Sequence, residues 1–206
     1  MARNHRQVCA WVLTALSTAC MIAGCGGAHK AGTTKAGQRA STGPTHSMSF
    51  RLADASTGPI AAEVPSQPIS STPTSIAGVT LQLYVVRRVP PGAVLVVFAL
   101  QTSAAAASVG LEGSIAQAVS TNDDNSTENT VSGVSLFDPA GLKEYETYMV
   151  NPSNDSTCLC TTLSGAPFDQ AGTNYEAALV AAPPSGVTSV SFVTGLGTIA
   201  NVALGG

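Results

Sequence analysis

Cys158 and Cys160, separated by Leu159, are the residues whose type and spacing most directly imply chemistry, and three readings are open to them. The first is a mutual disulfide, which an oxidising exported compartment favours and for which the C-terminal region holds no other cysteine. Its geometry is demanding. On an extended strand residues i and i+2 lie ~6.6–7 Å apart at Cα, at the edge of the ~6.8 Å a disulfide spans, so the backbone has to curl. Closing so short a ring contributes only ~1.6 kcal/mol, which makes the bond a local turn lock. The second reading is two thiols buried on one strand face. The third is a thiol-dependent Cu(I) or redox site to which Met149 adds a thioether.

The other reactive side chains argue against catalysis. His5, His29 and His46 all precede residue 74, so a Ser-His-Asp or Cys-His arrangement, imidazole proton transfer and the usual zinc ligand sets are not expected in the C-terminal region. Asp123/Asp124 and Glu144/Glu146 are carboxylate pairs of the type glycoside chemistry uses. The single tryptophan, Trp11, lies near the N-terminus, which leaves no indole platform for sugar beside them. Asn122, Asp123, Asp124, Asn125 and Glu128 form an acidic cluster that suggests calcium, yet it lacks the alternate ligand spacing and central glycine of an EF-hand loop and reads as a solvated turn. Lys143, beside a turn, reads as a solvated strand end. No enzymatic activity, metal or cofactor is expected.

The elements that must position these residues are strands. Val79, Leu81, Leu83 and Val85 alternate with polar neighbours as a half-buried strand requires, Pro90-Pro91-Gly92 turns the chain, and Ala93 to Leu100 is apolar throughout, as in a strand covered on both faces. Ala104 to Val119 mixes an alanine run with Gly110 and Gly113, and reads as a loop followed by a short strand at 114–120. Val131 to Phe137 and Lys143 to Met149 flank the turn Asp138-Pro139-Ala140-Gly141. Further strands are expected at 175–181, 187–193 and 199–204. Short strands in this number, with turn signals every ~8–12 residues, predict an all-β, immunoglobulin-like two-layer β-sandwich over residues 74–206.

Ahead of it, Arg3 and Arg6 precede an apolar run of 16 residues from Val8 to Ala23. As a helix that run would span ~24 Å of a ~30 Å hydrocarbon core, which favours a signal peptide over a permanent span. Ile22-Ala23-Gly24-Cys25 follows, and it resembles the lipobox of bacterial lipoproteins. The resemblance implies a signal peptide over 1–24, cleavage after Gly24 and diacylglycerol on Cys25, with at least two acyl chains giving a stable anchor. Residues 25–73, rich in Gly, Ala, Ser, Thr and Pro, read as a flexible linker that reaches ~40 Å from the lipid. Within it, 48–64 carries Phe50, Leu52, Ile60 and Val64, which could pair as an edge strand although Pro59 and Pro65 restrict it.

Three further segments carry a second resemblance. Val134-Ser135-Leu136-Phe137-Asp138-Pro139-Ala140-Gly141, Thr157-Cys158-Leu159-Cys160-Thr161 and Ala182-Pro183-Pro184-Ser185-Gly186-Val187-Thr188-Ser189-Val190 resemble a pattern in exported actinobacterial proteins of no established activity. Some members are similar to the N-terminal region of cell-wall-associated OmpA-like proteins. That resemblance implies an immunoglobulin-like fold.

Composition bounds the partners. The 206 residues are 44% hydrophobic and 10% charged, with net charge −3 and a mean hydropathy of +0.24, so no basic surface exists to neutralise a phosphate backbone and nucleic acid is excluded. Charge is also divided: residues 25–73 carry +2 and residues 74–206 carry −7, a mildly basic tether under an acidic head. The expectation is a lipid-anchored protein on the extracytoplasmic face of the cell membrane. It meets the membrane through Cys25 and serves in binding or cell-envelope interaction with an envelope protein or cell-wall partner.

Overall fold

A strand apolar at every position has to be covered on both faces, and the apolar stretch from Ala93 to Leu100 is buried along its whole length. The structure, a computed structural model, describes residues 43–54, 56–120, 129–150, 157–163 and 168–205. Cys25, the expected signal peptide, the first part of the expected linker and the acidic cluster at 122–128 lie outside the described residues.

The strands are β1 (Thr45–Phe50), β2 (Ile60–Pro65), β3 (Ser70–Pro73), β4 (Val79–Val89), β5 (Ala93–Thr102), β6 (Ser135–Asp138), β7 (Lys143–Glu146), β8 (Met149–Val150), β9 (Thr157–Cys158), β10 (Gly172–Ala181), β11 (Ser189–Thr194) and β12 (Gly197–Ala203). Two antiparallel sheets, ordered β10-β5-β4-β3 and β12-β11-β6-β7, pack as an all-β two-layer sandwich. Val94, Val96, Phe98 and Leu100 of β5 face Leu136 of β6 and Val190 and Phe192 of β11. The Phe98 and Phe192 rings, 5.3 Å apart at their centroids, lock one sheet to the other.

The opposite face of β5 lies beneath a hairpin. Phe50 of β1 with Ala62 and Val64 of β2 pack on Leu95, Val97 and Ala99 of β5, Tyr84 of β4 and Ala177 of β10. This corrects the expected linker boundary at residue 73: β1, β2 and β3 fall within it, and β3 pairs with β4 from Ser70↔Leu83 to Pro73↔Thr80. The physical reason is a period of two that small residues obscure. Ile60, Ala62 and Val64 share one face, and β1 aligns Met48 with Ala62 and Phe50 with Ile60. The 48–64 segment therefore pairs mainly with itself and covers a sheet face instead of extending a sheet edge.

Two local departures follow from register. The β4–β5 register shifts between Leu83 and Val85, so Tyr84 is an inserted residue that moves Val85 to the hairpin side and Val86 inward. The expected strand at 114–120 is instead a helix. α1 (Ala104–Ala107) is capped by the Ser103 side chain, which accepts from the Ala106 N–H, and α2 (Glu112–Val119) buries Ile115, Ala116 and Val119 along one stripe. Spacing of i, i+1 and i+4 is helical, and it outweighs the glycines at 110 and 113. α2 closes one end of the sandwich so tightly that a Cβ on Gly133 would lie 2.9 Å from the Val119 carbonyl oxygen, and one on Gly195 3.0 Å from the Ala118 carbonyl carbon.

The sheet edges are also covered. Thr147, just past β7, bridges Val180 of β10, and Gly205 bridges Arg87 of β4 beyond the reach of β3. Arg88 fixes the loop before β11, donating to the carbonyls of Pro183 (2.6 Å), Pro184 (2.8 Å) and Val187 (3.0 Å).

Candidate functional site

The Cys-Leu-Cys unit forms a seam along the outer edge of β10. Cys160 bridges Ala178, the Leu179 N–H donates to the Leu159 carbonyl (2.8 Å), and the Thr161 N–H donates to the Ala177 carbonyl (2.9 Å). Other chain segments meet there. The Ala53 N–H donates to the Cys160 carbonyl (2.7 Å), the Val131 N–H to the Thr161 carbonyl (3.1 Å) and the Leu163 N–H to the Asn129 carbonyl (2.6 Å). Three stretches distant in sequence thus converge on four residues.

Both cysteines are fully buried, with Sγ atoms at bonding distance and Cα atoms 5.1 Å apart. That separation is shorter than an extended i to i+2 step of ~6.6–7 Å, so the backbone curls between them. Met149 pairs with Cys158 across β8 and β9, which places a thioether-bearing residue in register with the pair. Among the described residues no group of three or more His, Cys, Asp or Glu side chains is disposed to hold a metal ion.

Next to the seam is a residue that the sequence reading passed over. Glu176 of β10 is 3% exposed, and the Thr161 hydroxyl donates to its Oε2 while the Ala177 N–H donates to Thr161 Oγ1 (3.1 Å). Burial pushes the Glu176 carboxyl up to about 7, against the smaller opposing effect of the Thr161 hydroxyl. The signal was present: Glu176 shares strand parity with Ala178 and Val180, which point into the core. Two further buried polar atoms, Asn174 Nδ2 and Thr102 Oγ1, have no hydrogen-bond partner among the described residues.

The carboxylate pair Glu144/Glu146 sits on the exposed face of β7 and lines a cavity of about 130 Å³ with Ser132, Ser135, Thr147 and Met149. Ser135 Oγ donates to Glu144 Oε1 at 2.5 Å, so one carboxylate is already engaged. The two groups project side by side from one strand rather than from opposite walls of a cleft. Lys143 lies over the Tyr145 ring, 5.2 Å from its centroid, at the strand end where it was expected. His46 belongs to β1, and so to the ordered body rather than to a linker, where it is exposed. A second cavity, about 340 Å³ and mainly apolar, lies between the Pro90-Pro91 turn and Tyr148, Leu159 and Leu179. Tyr148 crosses it to donate its hydroxyl to the Gly92 carbonyl (3.0 Å).

No helix among the described residues is long and apolar enough to cross a membrane. No protein-family model matches the sequence, and neither a curated protein nor a solved structure matches it.

Proposed function

We propose that this chain is a lipid-anchored, extracytoplasmic protein whose β-sandwich serves in binding or cell-envelope interaction. The observation that carries the reading is the order of the N-terminal residues: Arg3 and Arg6, an apolar run, then Ile22-Ala23-Gly24-Cys25. Such an order directs export and acylation of the cysteine, and two or more acyl chains hold a protein stably to a bilayer. Export supports a further step of the reading, in which Cys158 and Cys160 are joined as a disulfide, since their sulfurs lie at bonding distance and the compartment is oxidising. The body then acts through its surfaces, and fold alone licenses no narrower activity.

Metabolic labelling with a radiolabelled fatty acid tests this reading. The wild-type chain should carry label and sediment with membranes, and Cys25→Ser should lose both. Label or membrane association retained by Cys25→Ser would overturn it.

A second reading, a thiol-dependent Cu(I) or redox protein, is favoured by one observation, the register of Met149 with Cys158. It requires the pair in its reduced form. Stoichiometric Cu(I) uptake by the reduced protein, lost in Cys158→Ser, is its expected result, and no uptake would end it.

A further inference from the structure

In an antiparallel pair the backbone groups of alternate residues point toward the partner strand and away from it, and in the β1–β2 hairpin one bond decides which do which. The Ser66 N–H donates to the Pro44 carbonyl (2.9 Å), which makes Pro44 and Ser66 a hydrogen-bonded pair. The register continues from there, so His46, Met48 and Phe50 turn their backbone groups to Val64, Ala62 and Ile60. Thr45, Ser47 and Ser49 turn theirs outward, where they have no partner among the described residues.

The two edges of the hairpin differ. On β2 the outward residues are Ala61, Glu63 and Pro65, which include a charge and a residue without an N–H, both of which discourage the addition of a strand. On β1 they are Thr45, Ser47 and Ser49, all exposed, small and uncharged. An edge of that kind is a template for strand pairing.

A second copy of β1 fits it. Laid antiparallel about a two-fold axis through Ser47, the row meets itself: Thr45 opposes Ser49 of the second copy, Ser47 opposes Ser47 of the second copy, and about six backbone hydrogen bonds close between them. The side chains brought opposite one another are hydroxyls, which are favourable cross-strand neighbours. Charge does not oppose the pairing. Glu63 lies across from Ser47 on each β2, so the two carboxylates stay three strand spacings apart, ~14 Å, beyond a Debye length of ~8 Å. An anchored chain also meets its copies at one height, because residues 26–42, which separate Cys25 from the first described residue, cannot exceed ~60 Å and β1 is the first strand after them. This last argument rests on the lipid anchor proposed above, whereas the backbone geometry does not.

We propose that the chain forms a two-fold dimer through the outward edge of β1, which joins two hairpins into one four-stranded sheet ordered β2-β1-β1-β2.

Cysteine cross-linking of the full chain tests the pairing and its register. In a hydrogen-bonded pair the Cα atoms lie ~5.5 Å apart, within the ~4.4–6.8 Å a disulfide spans, so Ser47→Cys should give a covalent dimer on oxidation with diamide. Thr45→Cys places its two sulfurs four residues out of step, ~14 Å apart at Cα, and should cross-link at least ~10-fold less. Both variants are read on non-reducing gels, in membranes and again after the chain is purified from whichever fraction holds it and concentrated to ~1 mM, a range that tethering produces. Adding Ser49→Pro to Ser47→Cys removes an outward N–H without touching a β1–β2 bond, and should cut the dimer at least ~10-fold. Cross-linking at Ser47→Cys no greater than at Thr45→Cys in either preparation would overturn the proposal and leave the edge to a strand of another protein, as would a dimer indifferent to Ser49→Pro. Should the proline variant fail to fold, the comparison of the two cysteine variants decides by itself. Loss of the lipid anchor reads separately, as a purified chain that cross-links at ~1 mM but carries no fatty-acid label.

Discussion

Replacing Glu176 by glutamine removes a buried ionisable group while keeping an oxygen to accept the Thr161 hydroxyl, and the stability gain should depend on pH in a calculable way. The folded carboxyl titrates at about 7 against an ordinary value of 4.5. Below the unfolded value both states are protonated, and wild type and variant differ only by a constant. Between the two values the unfolded chain loses its proton first, so the wild type loses stability as pH rises. Above the folded value the full difference is lost, which at ~1.36 kcal/mol per pKa unit is about 3 kcal/mol. If the seam opens locally, the loss stops at the free energy of that opening, so about 3 kcal/mol is the ceiling. Urea unfolding of both full-length proteins from pH 4 to 8.5 measures it. The difference between them should widen with pH through this window and then level off. A difference constant with pH would refute the argument that Glu176 is buried and protonated in the folded state.

Other substitutions probe the packing. Phe98→Ala removes one ring of the aromatic pair that spans the two sheets and should cost about 3–5 kcal/mol, read from the urea midpoint. Gly195→Ala drives a methyl group into the α2 backbone and should destabilise by about 1–3 kcal/mol, whereas Gly186→Ala, with open space around it, should be close to neutral. Truncation before residue 43 should leave a cooperatively unfolding body. Truncation before residue 74 strips the hairpin from Leu95, Val97 and Ala99, and should give a product that aggregates and binds hydrophobic dye. Replacing Cys158 and Cys160 together by alanine should cost on the order of 1.6 kcal/mol from ring closure, plus the loss of two buried sulfur atoms, with the fold retained by circular dichroism.

The sandwich was legible because its central strands are long and simply patterned. Ala93–Leu100, apolar throughout, fitted a strand covered on both sides better than an edge strand, and Val79, Leu81 and Leu83 marked the inward face of β4 until Tyr84 shifted the register. The hairpin was harder to read: its inward positions include Ala62 and Met48, too small or too flexible to mark a period, and Pro65 reads as a break although it ends a strand. α2 was lost to Gly110 just ahead of it and Gly113 within it, which propensity penalises but close packing of the helix on Gly133 and Gly195 outweighs. At the candidate site the curl between Cys158 and Cys160 is what the disulfide reading of the pair required, one of the three the sequence left open. Glu176 was hidden for another reason. Its parity pointed inward, but a lone carboxylate is assumed to face water until its neighbours are known, and the covering segment lies fifteen residues away at Thr161.

Lipid anchorage through Cys25 is decided by the intact mass of the native protein extracted from membranes. It predicts a chain that starts at Cys25, carries diacylglycerol on that sulfur and is two hydrogens lighter than its reduced form. A chain that starts at Met1, bears no lipid and holds Cys158 and Cys160 as free thiols would contradict it.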